Sequence, residues 1–436
     1  MRNSGGGCRC GSITTLFKPI TKATLQLRPG EIAATLREAL RIAMSEPLGP
    51  VHLDLPEDVA LAQVSEPVPE ADAGSPGYAG VSAASQSDIA RAGELLRAAK
   101  RPVAVIGTSA MRMRRPGLLA EFLARHPMPV ATTTMAKGMV DEDHPMSVGC
   151  IERSMRKMQR SFIAGADLIV ALGYDTIEVE YKAWTGKVTV LHVGIESADV
   201  DAGVVLAHQV VGDVDASLER LVREPTGSYA WTSREVAAHR EAFQAALRPA
   251  TRNFGPHQAI DVVRRVLPRE GVLAFDVGAH THQIASQWTA HAPRQFLVTN
   301  GWSSMGFAIP GALAAKLADP QRPVVCVLGD GCFQMTCGEV AVAKRHNLAI
   351  PFVVLDDRWL SLIKVKQERR SLPYYGTETM LSDYRLPPEH YFGVRTVGVD
   401  SPESLERELR KAFAADGPTV IEAVVDPDHY SQTVFD

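Results

Sequence analysis

The chain has 436 residues, and 46 basic against 50 acidic side chains leave a formal charge of -4. Apolar residues make up 45% and charged residues 22%, the balance of a globular chain, and the slight acidity speaks against general affinity for nucleic acid. No run of about 18 apolar residues offers a membrane span, and the first turns of the chain lack the apolar stretch of a signal peptide. Six cysteines do not make a disulfide framework in a chain of this length, so the expectation is a cytoplasmic enzyme with reduced thiols.

In chain order, residues 1–63 form a short first block. Helical spacing at 32–44 precedes an apolar run at 49–56 that proline closes, the pattern of a buried strand. Residues 64–86, rich in Pro, Gly, Ser and Ala, read as a linker. From 87 to 224 strands predicted at 102–107, 130–134, 168–173, 188–193 and 210–212 interleave with helices at 89–99, 118–125 and 214–222. A second linker, 225–256, carries one polar helix at 233–247. The last block, 257–436, has strands predicted at 271–277, 295–298, 323–328, 350–355 and 420–425. This alternation predicts an α/β chain with two doubly wound parallel-sheet domains. Ligands of such sheets sit beyond the carboxyl ends of the strands, which directs attention to 276–280, 299–305, 329–332 and 356–361.

The most informative run is Val327-Leu328-Gly329-Asp330-Gly331-Cys332-Phe333, followed later by Val354-Leu355-Asp356-Asp357-Arg358-Trp359. Asp330 and Asp357 each leave a predicted buried strand, on strands expected to be neighbours. Two carboxylates there suit a hard cation, because Mg²⁺ takes oxygen ligands and is commonly held by one or two carboxylates plus phosphate oxygens. Gly329 and Gly331 let backbone amides approach a phosphate. A helix expected at about 337–345 would turn its amino end towards the same anion. An Asp-Gly pair alone is most often a turn; the second acidic strand exit lifts it above that. Other features read as structural. His280-Thr281-His282 has no Cys or acidic partner at metal-ligand spacing. Cys332 and Cys337 do not form a C-x-x-C pair, and Cys8-Arg9-Cys10 sits at the terminus. Gly107-Thr108-Ser109 follows a strand without the full dinucleotide fingerprint.

Gly329-Asp330-Gly331, followed after residues 332–355 by the pair Asp356-Asp357, resembles the thiamine diphosphate-binding motif. The resemblance extends over most of the chain and is nearest to acetolactate synthase large chains of the catabolic, FAD-independent type. That family usually ends the motif with Asn-Asn or a mixed pair; Asp at the ligand position keeps an oxygen donor and adds a charge. The resemblance implies Mg²⁺ bound by the side chains of Asp330 and Asp357 and the backbone carbonyl of Trp359. Val277-Gly278-Ala279-His280 resembles the turn that contacts the diphosphate, with Gly329, Gly331 and Cys332 beside it. Residues 300–310 resemble the segment that grips the aminopyrimidine, where Met305 would wedge the cofactor into a bent shape and Ser303 would face the pyrimidine. Leu360 and Ser361 open a helix expected over the site, on which Lys364 and Lys366 either attract an anionic 2-oxo acid or are simply solvated. Gly173-Tyr174-Asp175-Thr176-Ile177-Glu178 is similar to the flavin-independent branch and argues against FAD.

By the same resemblance, 1–63 is the remnant of a pyrimidine-binding domain, 87–224 the central domain and 257–436 the diphosphate- and Mg²⁺-binding domain. The family's activating glutamate lies early in the first domain; no residue here matches it, so no catalytic residue is assigned. Truncation is the favoured reading over a split enzyme, since a natural split falls in a linker where few contacts cross. The implied function is a thiamine diphosphate- and Mg²⁺-dependent carboligase of the acetolactate synthase class, acting on pyruvate and a second 2-oxo acid. Two alternatives stand: a 2-oxo-acid decarboxylase or lyase on the same scaffold, and an inactive cofactor-binding fragment or subunit that needs a separate pyrimidine-domain chain. A homo-oligomer is expected, with no nucleic-acid or membrane partner.

Overall fold

A computed structural model describes residues 13–63, 81–379 and 389–435, in two compact units, Met1–Ala83 and Ala84–Asp436. In the first unit β1 (Ala23–Gln26) and β2 (Val51–Asp54) pair in parallel, joined through the helix Ile32–Met44. The Lys22 ammonium donates to the carbonyls of Ile42, Ser45 and Pro47 and to Ser45 Oγ, all at 2.7 to 2.8 Å. That places a cation on the last carbonyls of the helix, where its dipole is negative. Among the described apolar residues of this unit Leu27 and Ala39 are buried, whereas Leu16, Leu40, Leu55 and Leu61 are exposed. A two-stranded sheet buries too little to be independently stable.

The second unit holds two sheets. The first comprises β3 (Pro102–Ile106), β4 (Val130–Thr132), β5 (Ser147–Cys150), β6 (Leu168–Leu172), β7 (Thr189–Gly194) and β8 (Leu206–Val211), all parallel, in the order β5-β4-β3-β6-β7-β8. Strand β5 was not anticipated, because Ser147-Val148-Gly149-Cys150 offers no apolar run and Gly149 has a φ of +85°. The helix Arg156–Ile163 was missed as well. The helix Gln86–Ala98 begins inside the stretch read as a linker, since Ser85 Oγ caps it by accepting the Asp88 amide at 3.0 Å; residues 64–80 of that linker lie outside the described residues. The second expected linker also carries structure. Its helix, Ser233–Ala246, buries Val236 and Phe243 completely.

The second sheet comprises β9 (Val272–Phe275), β10 (Phe296–Leu297), β11 (Val324–Gly329), β12 (Pro351–Asp356), β13 (His390–Tyr391), β14 (Val394–Val399) and β15 (Thr419–Val424). Its order is β10-β9-β11-β12-β15-β14-β13, parallel except for β13 against β14. Strands β11 and β12 are neighbours, as expected, and their unbroken apolar runs are buried because both faces of the sheet are covered. One expectation is corrected. The helix placed at about 337–345 begins much earlier: β11 runs directly into a helix, Asp330–Thr336, before the turn Cys337–Glu339 and the helix Val340–Arg345. Asp330-Gly331-Cys332 is therefore a first helical turn and not a loop.

In the first sheet the strand order reverses between β3 and β6, which opens a crevice at their carboxyl ends. Gly107 and Gly173 let the loops close on each other. A Cβ at Gly107 would lie 2.4 Å from Tyr174 Cα and 2.7 Å from the Gly173 oxygen, whereas a Cβ at Gly117 would meet nothing within 4 Å. Gly107→Ala is expected to cost about 1–3 kcal/mol by overpacking. Gly117→Ala, at the start of the helix Gly117–Arg125, is expected to gain about 0.4–1 kcal/mol. Denaturant unfolding of the two variants measures both, and equal stabilities would contradict the tight loop contact.

Candidate functional site

The carboxyl ends of β9, β11 and β12 open onto a cavity of about 180 Å³. Its walls carry Val277, Gly278, Ala279 and His280 from the turn after β9, and Ser303 and Met305 from the segment after β10. Gly329, Asp330, Gly331 and Cys332 enter from the end of β11, and Asp357, Trp359, Leu360 and Ser361 from the end of β12. The structure thus brings together every residue singled out for cofactor and metal. The two candidate substrate residues stand apart. Lys364 Nζ lies 4.5 Å from the Trp359 ring centroid and 5.4 Å from that of Tyr374, while Lys366 is exposed.

Asp330 and Asp357 are the chemical centre of the cavity. Asp330 is 5% exposed; burial pushes its carboxyl up to about 6, and the neighbouring charge of Asp356 adds to the rise. Burial pushes Asp357 up to about 8, and the Asp330 charge is the next largest cause. Hydrogen bonds hold both in place against this. Asp357 Oδ1 accepts the Trp359 amide at 2.9 Å and Oδ2 accepts Ser361 Oγ at 2.8 Å, while Asp330 accepts from Thr379 Oγ1. The loop between them is pinned in turn, because Leu360 N donates to the Thr377 carbonyl and Thr379 N to the Arg358 carbonyl.

Asp276 organises the opposite wall. Fully buried, it accepts the amides of Val277 at 2.8 Å, Gly306 at 3.0 Å and Ala308 at 2.9 Å, which ties the turn after β9 to the segment that carries Met305. Thr281 Oγ1 closes the same turn by donating to the Asp276 carbonyl and accepting the Gly278 amide at 2.7 Å. Cys332 Sγ donates to the Val277 carbonyl at 3.1 Å, which links the walls of β9 and β11. Thr379 was not selected from the sequence, and Asp276, inside the strand exit 276–280 that was, was given no role. Asp276 could have been found as an acid at the end of an apolar run; Thr379, far along the chain, carries no local signal.

Residues 89–221 match the central domain of thiamine pyrophosphate enzymes, and residues 276–423 match their C-terminal, thiamine pyrophosphate-binding domain. The chain belongs to the thiamine pyrophosphate enzymes. It is 28% identical to a probable acetolactate synthase large subunit of Methanocaldococcus jannaschii, over 94% of this chain and 73% of that protein. Similar likenesses are found with the acetolactate synthase large subunit of Lactococcus lactis, 28% identical over 93% of this chain and 72% of the relative, and with the isozyme 1 large subunit of Escherichia coli, 26% identical over 94% and 73%. It is therefore a thiamine pyrophosphate enzyme with relatives named as acetolactate synthase large subunits. Among the described residues no helix is long and apolar enough to cross a membrane.

The cavity fits the cofactor's anionic end and an accompanying cation. Among the described residues His280 Nε2 is buried without a hydrogen-bond partner, and burial holds this ring down to a pKa of about 4, which favours the neutral imidazole. A Cβ at Gly331 would fall 2.8 Å from Leu360 Cδ2 and 3.4 Å from Met305 Cε, so glycine there keeps a cradle open. One buried and one half-buried carboxyl, the second raised by the charge of the first, make a seat for a divalent ion.

The pair also sets a pH dependence. A carboxyl whose folded pKa is raised above 3.8 takes up protons on folding, so its contribution to stability is lost as pH rises through that window, here from about 4 to about 8. In chelator-treated protein, Asp357→Asn is expected to be more stable than the parent at pH 8, by about 1–3 kcal/mol, and to converge with it near pH 4. Thermal unfolding against pH measures this, and parallel curves would show that folding does not raise the Asp357 carboxyl.

Proposed function

We propose that the chain is a thiamine diphosphate- and Mg²⁺-dependent carboligase that acts on pyruvate and a second 2-oxo acid. The observation that carries this reading is the meeting of Asp330 and Asp357 in one cavity with the turn of Gly278, Ala279 and His280. Asp330, Asp357 and the Trp359 carbonyl would hold the Mg²⁺. The turn after β9, with Gly329, Gly331 and Cys332, would hold the diphosphate, and Leu360 and Ser361 would close over it. Ser303 and Met305 would take the pyrimidine, with Asp276 fixing Met305 through the Gly306 and Ala308 amides. Bound there, the cofactor supplies the electron sink for loss of carbon dioxide and for carbon–carbon joining. The chain supplies orientation and charge. Lys364 is engaged by the rings of Trp359 and Tyr374, so it is assigned to holding Trp359 and not to substrate.

No residue of 1–436 is assigned the role of the acid that activates the pyrimidine. Two observations support an assembled site. Trp302, beside Ser303, is 98% exposed, and the first unit exposes Leu16, Leu40, Leu55 and Leu61. The reading includes a homo-oligomer and no FAD.

Titration calorimetry tests it directly. Thiamine diphosphate is expected to bind in the presence of Mg²⁺ and not in chelator. Asp330→Ala or Asp357→Ala is expected to weaken binding at least about tenfold, the smaller loss seen when a metal site loses even an outer partner. Pyruvate consumption with acetolactate release, by the chain alone or with a pyrimidine-domain partner, supports the carboligase. Free aldehyde as the sole product would move the reading to a 2-oxo-acid decarboxylase, and binding that ignores Mg²⁺ would overturn the metal assignment.

A further inference from the structure

The β3–β8 sheet has its own crevice where the strand order reverses, between β3 and β6. In doubly wound sheets this position takes the phosphate groups of a nucleotide, presented with backbone amides from the strand exits. Here the same kind of donor set is present and already in use. The Thr108 amide, just past β3, donates to Glu178 Oε2 at 3.1 Å. The Met135 amide, just past β4, donates to Glu178 Oε1 at 2.9 Å, and Thr133 Oγ1 donates to Oε2 as well. Burial raises the Glu178 carboxyl above its usual range, and these donors together with the positive charge of Arg153, which donates to Thr134 Oγ1 at 2.5 Å, act against that rise.

The loop after β6 is shaped to deliver that carboxylate. The Glu178 amide donates to the Asp175 carbonyl, and Tyr174 Oη donates to the Val179 carbonyl at 2.6 Å. Trp184 Nε1 in turn donates to Tyr174 Oη at 2.8 Å, and the Tyr174 and Tyr181 rings stack with centroids 4.6 Å apart. Behind the carboxylate, Gly107 and Gly173 let the two strand exits touch, with the Ser109 amide on the Gly173 carbonyl at 2.9 Å. An acid that leaves water for a pocket of donors is stable there because those donors replace its hydration.

We propose that Glu178 is an internal ligand: its carboxylate fills an oxyanion-binding hole of the phosphate class, built from the Thr108 and Met135 amides and the Thr133 hydroxyl. The central domain is thereby closed to a phosphate-bearing dinucleotide by its own side chain, and the hole becomes available to inorganic phosphate when that side chain is removed. This does not rest on the cofactor reading, and its test reads stability and not turnover.

The test compares the full-length chain with Glu178→Ala, each unfolded thermally in chloride buffer and in inorganic phosphate at matched ionic strength. Phosphate taken up at the thiamine diphosphate cradle affects both chains alike and cancels in the difference. Glu178→Ala is expected to lose several degrees in chloride and to regain about 3 °C more than the parent in phosphate, in a saturable way. An equal phosphate response in the two chains would overturn the proposal. If Glu178→Ala does not fold, Glu178→Asp and Glu178→Gln decide it. A hole for an anion retains more stability with the shorter acid than with the neutral isostere, whereas a merely shape-filling role gives the reverse order and sinks the idea.

Discussion

The second unit is organised around two carboxyl groups drawn from water at the ends of adjacent parallel strands. Burial and the Asp330 charge both raise Asp357, so ionising the pair costs free energy. Hydrogen bonds from Thr379, Ser361 and the Trp359 amide offset part of that cost, and they also fix both carboxylates to the same side of the cavity. The register explains the convergence. Gly329 pairs with Leu355, so Asp330 and Asp356 leave the sheet level with each other and Asp357 lies one residue beyond. Burial raises all three carboxyls; the charge of Arg358 acts against the rise at Asp356, whereas hydrogen bonds act against it at Asp330 and Asp357. A cation is what such an arrangement lacks, and an oxygen-rich seat between two strand exits selects a hard one.

Asp276 shows the opposite use of a buried acid. It is fully buried as well, yet its oxygens are occupied by three backbone amides that come from both sides of the turn. That carboxylate is structural: it converts the ends of β9 and β10 into one rigid wall and sets where Met305 and Gly331 face each other. The distinction between Asp276 and the pair Asp330 and Asp357 is not one of burial but of what satisfies the charge.

Much of this was legible in the sequence because parallel strands covered on both faces show as continuous apolar runs, and because the acids and glycines that matter sit directly at the ends of those runs. The runs at 323–328 and 350–355 located Asp330 and Asp357 within a residue of where the strands end. What was not legible depends on tertiary partners. Thr379 reaches Asp330 from a segment with no motif, and its role follows from the pinning of residues 358–360 by 377–379. The start of the helix at Asp330 was misplaced because glycine at its second position reads locally as a turn. Strand β14 was missed because its burial alternates, with Arg395 exposed between Val394 and Thr396, so it lacks the apolar run that marked its neighbours.

The two sheets of this unit obey the same topological rule and resolve it in opposite ways. At the exits of β9, β11 and β12 the chain gathers acceptors, leaves His280 Nε2 without a partner among the described residues and keeps Gly331 bare, so the crevice is open to a cation with its anionic cargo. At the exits of β3, β4 and β6 it gathers donors, packs Gly107 against Gly173 and then fills the remaining hole with Glu178. An unfilled set of buried amides would be costly, since each unpaired buried donor forfeits a hydrogen bond it would have made to water. A fold that inherits a donor-lined crevice therefore needs either a bound anion or an acid of its own. In this chain the aromatic packing of Tyr174, Tyr181 and Trp184 holds the loop in the one conformation that supplies the acid, which turns a ligand site into part of the framework on which the other crevice works.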